Sequence, residues 1–587
     1  MQTTAFAQYL ARLDALSSRL EMTAVLAELY QRFSPDEQQY ASYLLQGSLV
    51  PQYRSLEFQL SSKMLLRALS TIALEGSPEP ENHDLFGESI GATEASEVLA
   101  LYKKIGDIGV VAEQILRDHD TGGGDLSVVE LHQKLVAIAE ASGAGSQQRK
   151  LELTIALLHA VSPLAAKYIT RMITGKLRLG FATMTILDAL SWAQTGTKAE
   201  TVALEQAYQK RADVGQLARV YLAAKDVDAR QTALAQYDVV FGTPVVPQLC
   251  QRLHTSEEIV VKLGRVIAEP KYDGVRIQMH IDTVRNQALA YTRSLEDATH
   301  MFPELAELFG LITVKQVILD AEAIGYDPRT GTLLPFQETI TRKRKHEIAS
   351  QAQNVPIVFY VYDLLFIDGR SLLTVPLQER KQLLRRTMRD SQNLKFTPYM
   401  TTENPTELRR FHEQQLSLGL EGAVVKKIDA PYQSGRKGWY WVKIKELAGT
   451  RGKLADTLDC LVLGYYVGKG KRTQFGVGAF LVGILDGEQV LSLAKIGTGL
   501  TDEQFRELKL RCAALVTQTQ PTEYQVAKEL YPDFWIRPGL VVEIAADELT
   551  KSPNHTAGLA LRFPRLVRFR DDKRWQDATS LGELSSF

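Results

Sequence analysis

Near residue 235 the hydrophobic period of this 587-residue chain changes, and one core cannot serve both sides of that change. Ahead of it, apolar residues recur at helical spacing, and Phe6, Leu10, Leu13, Leu16 and Leu20 trace one stripe. Ser34-Pro35-Asp36-Glu37 carries a capping serine, a proline at the first helical position and a glutamate three residues after the cap; Gly47 marks a stop. The glycine-rich stretches at 121–125 and 142–146 read as exposed loops. FGTPVVPQL (241–249) breaks helix, and short β-branched runs follow: VRIQMHI, QVILDAEAIGY, PIVFYVYDLLFI and GAVVKKI. Helical segments separate them, which is an α/β pattern. A polar stretch with two glycines, KELAGTRGKLADTLD (445–459), makes a second boundary, and the runs beyond it fit a small β-barrel. The expected domains are a helical one over 1–235, an α/β one over 236–448 and a barrel over 449–587.

The helical part repeats itself. GDIGVVAEQIL (106–116) and ADVGQLARVYL (212–222) share D-(I/V)-G-x-(V/L)-A-x-x-x-L. A Gly47 turn leading to LLRALS (65–70) echoes a Gly175 turn leading to ILDALS (186–191), in the same order, which predicts an internal duplication. In GKLRLG (175–180), Lys176 and Arg178 lie between glycines, so backbone amides and basic side chains can approach nucleic-acid phosphates together. The same segment also reads as a helix–turn–helix with solvated charges.

Charge balance is uninformative: 68 Lys plus Arg against 69 Asp plus Glu means that any basic footprint is local. Cys250, Cys460 and Cys512 form no CxxC pair, which argues against a structural zinc or a disulfide framework and fits a reducing cytosol. No apolar run is long enough for a bilayer, so a cytoplasmic location is expected and no membrane partner.

The chemistry concentrates in KYDGVR (271–276), with Glu269 just upstream. A lysine attacks phosphorus only as the free amine, so Lys271 needs neighbours that lower its proton affinity, and Arg276, Lys443 and Lys445 are candidates. Asp273-Gly274 reads equally well as a tight turn between two strands. Arg293 follows a strand-like run in YTRSLEDAT. Glu322 in LDAEAIGYD lies among apolar residues, where a carboxylate is costly unless paired or metal-bound. Tyr362 in VYDLLFIDG suits either a core or a stacking surface, and Glu421 in LEGAVVKK is a second isolated carboxylate. Lys443 and Lys445 in WYWVKIK alternate onto one strand face and repel unless an anion bridges them. RFPRLVRFRDDKR (562–574) sets six basic residues against two acidic.

Taken in order, these segments resemble the motifs of the covalent nucleotidyltransferases: ATP-dependent DNA ligases, RNA ligases and mRNA capping enzymes. LLQGSLVPQY, RMITGKLRLGFATMTILDALS and AYQKRADVG resemble the helical domain of archaeal and eukaryotic ATP-dependent DNA ligases, and the archaeal branch is the nearer. The resemblance covers essentially the whole chain. It implies an all-α DNA-binding domain, an ATP-grasp-like α/β adenylation domain and an OB-fold barrel. It also implies ATP and Mg²⁺ (or Mn²⁺), a lysine–AMP intermediate on Lys271 and sealing of nicked duplex DNA between a 3′-hydroxyl and a 5′-phosphate. Glu269 is implied to read the adenine amino group, Tyr362 to stack on the base, and Arg276 and Arg293 to hold sugar or phosphate. Lys443 and Lys445 fall to the α-phosphate, and Arg562, Arg570 and Lys573 to the β- and γ-phosphates. Glu322, also a nucleotide contact, and Glu421 are implied metal ligands; Lys176, Arg178 and Phe563 are implied DNA contacts. A monomer associated with the nucleoid of a prokaryote, with a sliding clamp as a further partner and roles in replication, repair, recombination and cell division, completes the expectation. The rival readings are an RNA ligase or capping-type enzyme and a non-catalytic nick-binding scaffold. Gln248 stands where the family commonly has methionine, and the 446–456 linker is longer and richer in glycine.

Overall fold

The computed structural model describes residues 1–74, 91–119, 124–177, 179–334, 339, 355–435, 438–444, 457–468, 472, 475–546 and 548–585. It comprises two compact units, Met1–Lys445 and Glu446–Phe587.

Among the described residues up to Gln236, thirteen helices run from α1 (Thr3–Ala15) to α13 (Val227–Gln236) around one apolar core. The capping box read from the sequence opens α3 (Pro35–Leu44): Ser34 Oγ accepts from the Glu37 amide, and the Glu37 carboxylate accepts from the Ser34 amide at 2.8 Å. Gly47 then turns the chain in the left-handed region, at φ +73°. Residues 142–145 are exposed as expected, whereas most of 121–125 lies outside the described residues.

The two matched segments form equivalent helices. α6 (Ile108–Asp118) and α12 (Val214–Ala223) start on Asp107 and Asp213, whose carboxylates accept from first-turn amides. The glycine two residues later is a point of close approach in both. A Cβ on Gly109 would stand 2.5 Å from the Lys167 carbonyl oxygen, and one on Gly215 would stand 2.5 Å from the Tyr43 ring. Lys167 belongs to α9 (Pro163–Ile173) and Tyr43 to α3, so each Asp-x-Gly helix packs on an element of the opposite half. The two turns also meet, since a Cβ on Gly47 would stand 3.5 Å from the Leu177 carbonyl oxygen.

Beyond α13 the chain builds two sheets. The first has the order β1 (Gln251–Leu253), β11 (Trp441–Ile444), β10 (Ala423–Lys427), β2 (Val266–Pro270), β9 (Met400–Thr402). The second has the order β4 (Gln287–Thr292), β3 (Val275–Asp282), β5 (Gln316–Gly325), β6 (Ile357–Ile367), β7 (Arg370–Ser371), with β8 (Leu394–Phe396) also on β6. Side chains alternate along a strand and cross-strand partners share a face, so the pairing register sorts the residues. Leu253, Ala268, Val425 and Val442 pack under α14 (Ser256–Leu263) and α16 (Pro405–Ser417). The opposite face of that sheet therefore carries Lys443, Val424 and Glu269 in one row and Trp441, Lys426 and Ile267 in the next. In the second sheet Ile277, Leu319, Ala321, Phe359 and Val361 line the core, with α15 (Leu377–Thr387) among the elements covering it. Arg276, Glu322 and Tyr360 share a row on its other face.

The second unit is strand-rich. β12 (Leu458–Tyr466) pairs with β13 (Ala479–Asp486) on one side, and on the other with β18 (Val541–Ala545) and then β17 (Phe534–Ile536). A register shift between Val462 and Gly464 bends it, and a Cβ on Gly464 would stand 2.5 Å from the Phe534 carbonyl oxygen. β14 (Gln489–Ile496), β15 (Val516–Thr517), β16 (Tyr524–Gln525) and β21 (Arg565–Phe569) complete the sheet, and β19 (Glu548–Lys551) pairs with β20 (Leu559–Arg562). The linker at 445–456 lies outside the described residues.

Candidate active site

The KYDG segment is not a hairpin turn. β2 ends at Pro270 in one sheet and β3 starts at Val275 in the other, so Lys271 stands where the chain crosses between them. Its backbone is anchored to the loop before β10: the Lys271 amide donates to the Gly422 carbonyl at 2.8 Å, and the Glu421 amide donates to the Lys271 carbonyl at 3.1 Å. The Lys271 ammonium pairs with the Glu421 carboxylate. Gly274 is required by closeness, because a Cβ there would stand 2.7 Å from the Ala323 carbonyl oxygen and 2.9 Å from Glu322 Cγ.

Lys443 is a cation near Lys271. Burial, and then the charge of Lys271, hold its ammonium below the ordinary range. Arg276 is committed elsewhere: Nε and Nη2 reach the Asp320 carboxylate at 3.0 and 2.6 Å, and Nη1 reaches the Gln248 carbonyl at 2.6 Å. Arg276 is therefore a neutralised partner of Asp320 and not the unbalanced neighbour of Lys271 expected from sequence. Lys445 lies outside the described residues. Gln248, the departure from the family pattern, is buried and satisfied: its amide donates to Tyr432 Oη at 3.0 Å and its Oε1 accepts from the Gln433 amide at 2.9 Å.

Glu322 is half-buried, and its carboxyl is pushed up to about 8 by burial; Arg276 and Lys271 pull it down, while Asp320 and Glu421 push it up again. Tyr362 is buried and donates to Asp320 at 2.9 Å. Lys426 Nζ stands 4.4 Å from its ring centroid, and Trp441 meets the ring edge-on at 6.1 Å. Glu269 is buried between two lysines, paired with Lys381 of α15 and 2.6 Å from Lys426 Nζ. Sequence reasoning missed Asp320, Lys381 and Lys426. Asp320 and Lys426 were within its reach, because each lies two residues from a residue already singled out or facing the cleft and so shares its face.

The remaining candidates are dispersed. Arg293 is exposed in the turn after β4, beside Leu295 at φ +68°. Lys176 is half-exposed, with Nζ 6.0 Å from the Tyr102 ring centroid, and Arg178 lies outside the described residues. In the second unit the Arg562 guanidinium stands 5.6 Å from the Phe563 ring centroid, and Phe563 is 63% exposed with φ +53°. Arg570 and Lys573 both meet Asp459, at 2.8 and 2.6 Å. Asp459 was not singled out by sequence either.

Among the described residues no group of three or more His, Cys, Asp or Glu forms a metal cage. Glu322 and Glu421 nevertheless fit a hard divalent cation. They are two oxygen-donor side chains close enough to disfavour each other's charge, and Mg²⁺ characteristically takes one or two carboxylates and completes its shell with phosphate and water oxygens.

A helical domain, then two sheets with a lysine where the chain crosses between them, then a strand-rich unit: this is the order expected of a covalent nucleotidyltransferase acting on nucleic acid. The family models described as DNA ligase N terminus, ATP dependent DNA ligase domain and ATP dependent DNA ligase C terminal region match residues 2–191, 247–445 and 473–573. The chain is 36% identical over 589 residues to a probable DNA ligase of Dictyoglomus turgidum, covering 98% of this chain and 96% of that one. It is 35% identical over 606 residues to a DNA ligase of Pyrobaculum islandicum, covering 100% and 98%. The solved structure Pmar-Lig_PreS3 shares the fold at a TM-score of 0.53 and 16% identity, over 96% of this chain and 99% of that chain. The chain belongs to the ATP-dependent DNA ligase family. Among the described residues no helix is long and apolar enough to cross a membrane.

Proposed function

We propose that Lys271 carries AMP in this ligase and that the residues around it divide the work of nick sealing. Lys271 Nζ, freed of its proton, attacks the α-phosphorus of ATP; a P–N bond forms and the bond to the pyrophosphate oxygen breaks. A nick 5′-phosphate oxygen then displaces the lysine to give adenylated DNA. The 3′-hydroxyl attacks that phosphate, loses its proton and expels AMP. The observation that carries the assignment is the position of Lys271 at the crossing between the sheets, tied through backbone and side chain to the Glu421 loop, with Lys443 as its cationic neighbour.

Lys443 and Lys445 would stabilise the α-phosphate oxygens, and Glu269 and Tyr362 would seat the adenine. Arg276 would orient the sugar from its pair with Asp320, and Arg293 would meet ribose or the nick phosphate. Magnesium or manganese held by Glu322 and Glu421 would offset charge on the transferring phosphoryl. The two-sheet domain is read as ATP-grasp-like, and Arg562, Arg570 and Lys573 as the holders of the β- and γ-phosphates. The helical domain, through Lys176 and Arg178, and Phe563 of the second unit would grip nicked duplex through its backbone. A monomer working in the cytoplasm in replication, repair, recombination and cell division, with a sliding clamp as a further partner, fits this reading.

The test is labelling of the full chain with ATP or GTP and Mg²⁺, followed by peptide mapping. An adenylate on the Lys271 peptide that survives alkali and is released by acid, as a P–N bond requires, is expected, and it should be absent from Lys271→Ala and from Lys271→Arg, because a guanidinium stays protonated. An adduct on another residue, or normal labelling of either variant, overturns the assignment.

A further inference from the structure

Arg570 and Lys573 turn to the same carboxylate. Asp459 Oδ1 accepts from Arg570 Nη1 at 2.8 Å, and Asp459 Oδ2 accepts from Lys573 Nζ at 2.6 Å. Asp459 lies in β12 opposite Glu543 of β18. Its amide donates to Thr579 Oγ1 at 3.0 Å and its carbonyl accepts from the Thr579 amide at 2.8 Å. The carboxylate therefore hangs from a backbone fixed on two sides, whereas the groups that it holds end long, flexible side chains. Across the guanidinium, Arg570 Nε and Nη2 reach Asp572 at 2.8 and 2.7 Å.

A donor count decides whether the pair can still take a ligand. Arg570 has five N–H groups and commits three, one to Asp459 and two to Asp572. Lys573 has three and commits one. Among the described residues, two donors on each side chain then remain for phosphate oxygens while Asp459 keeps its hold, although Arg570 Nη1 also stands 3.9 Å from Glu543 Oε2. Without Asp459 the Arg570 guanidinium would stay paired with Asp572, while the Lys573 ammonium would lose the carboxylate that holds it beside Arg570.

We infer that Asp459 is a positioning residue of the adenylation step, holding Arg570 and Lys573 side by side so that both donate to the β- and γ-phosphates of ATP. The inference rests on the reading of Arg570 and Lys573 as the holders of those phosphates. Charge-assisted bonds set the pair, so its loss falls on binding and alignment of the pyrophosphate half. Once AMP has been transferred, no β- or γ-phosphate remains and Asp459 has nothing to align.

The test compares full-length wild type, Asp459→Asn, Asp459→Glu and the Arg570→Ala/Lys573→Ala double variant in two assays on one preparation. The first is adduct formation at varied ATP; the second is sealing of a nick already carrying AMP. Asp459→Asn keeps the side-chain shape but presents an N–H to one of the cations. It is expected to raise the ATP concentration for half-maximal adduct formation by about tenfold and to change sealing less than about twofold, with Asp459→Glu recovering most of the loss. A loss of folded protein lowers both assays equally, so equal losses overturn the inference, as does full adduct formation by Asp459→Asn. If the double variant is hit equally in both assays, the phosphate-holding reading itself fails. If it loses adduct formation alone while Asp459→Asn loses nothing, only the role of Asp459 fails.

Discussion

Lys271 and Glu421 are joined three ways: their side chains form an ion pair, the Lys271 amide donates into the Glu421 loop at the Gly422 carbonyl, and the Glu421 amide donates back to the Lys271 carbonyl. The residues stand 150 positions apart in the chain. Glu421 is therefore held to Lys271 by backbone and side chain together.

Glu421→Ala is expected to lower self-adenylation by at least about 100-fold, because the carboxylate assigned to the divalent cation is gone. Stability should move by no more than about 1 kcal/mol, since the pair is partly solvated, with its side chains 24% and 34% exposed. Thermal melting and adduct yield measured together check this. A variant that unfolds readily yet labels normally when folded would make Glu421 a structural partner only.

Gly274→Ala removes no functional group and should still damage the chemistry. The new methyl would meet the Ala323 carbonyl and Glu322 Cγ, neither of which can yield without moving β5 or the Glu322 carboxylate. Adduct formation is expected to fall at least about tenfold, the cost of displacing a group by a fraction of an ångström in an aligned site. Labelling at the wild-type rate would show that Glu322 need not stay where it is.

Lys176→Glu tests the helical domain. Binding to nicked duplex should weaken for every sequence, and the slope of log affinity against log salt should become shallower by about 1, as one phosphate contact disappears. Self-adenylation should not change. An unaltered salt slope would leave the cation–ring contact with Tyr102 as the whole role of Lys176.

His280 predicts a pH dependence of folding. Burial depresses its imidazolium to about 3, and the ring is placed as the neutral tautomer, with Nδ1 accepting from the Gly242 amide at 3.1 Å and Nε2 donating to Gln278 Oε1 at 3.1 Å. The unfolded chain takes up this proton near pH 6.5 and the folded chain near 3. Stability from this group is thus complete above 6.5 and is lost as pH falls, by up to roughly 1.4 kcal/mol per pH unit. His280→Asn should flatten the decline in melting temperature between pH 6.5 and 4.5 relative to wild type. Parallel profiles for the two proteins would refute the assignment.

Local geometry is what the sequence by itself determined. The capping box at Ser34, the matched Asp-x-Gly segments that became α6 and α12, and the alternation that sets Lys443 on the strand side opposite the covering helices depend on residues within a few positions of each other. The order of the motifs was equally legible, and with it the family. Partnership between residues far apart in the chain was decided only by the tertiary structure. Asp320 neutralises Arg276 from 44 residues away, Lys381 reaches Glu269 across 112, and Asp459 gathers Arg570 and Lys573 across 111 and 114. Even the segment around Lys271 looked like a hairpin, because a turn signal specifies a change of direction and not the sheet into which the next strand is received. Sheet order and register choose the partner of each charge, and both are set by the burial of whole faces, a property that no short stretch of chain possesses.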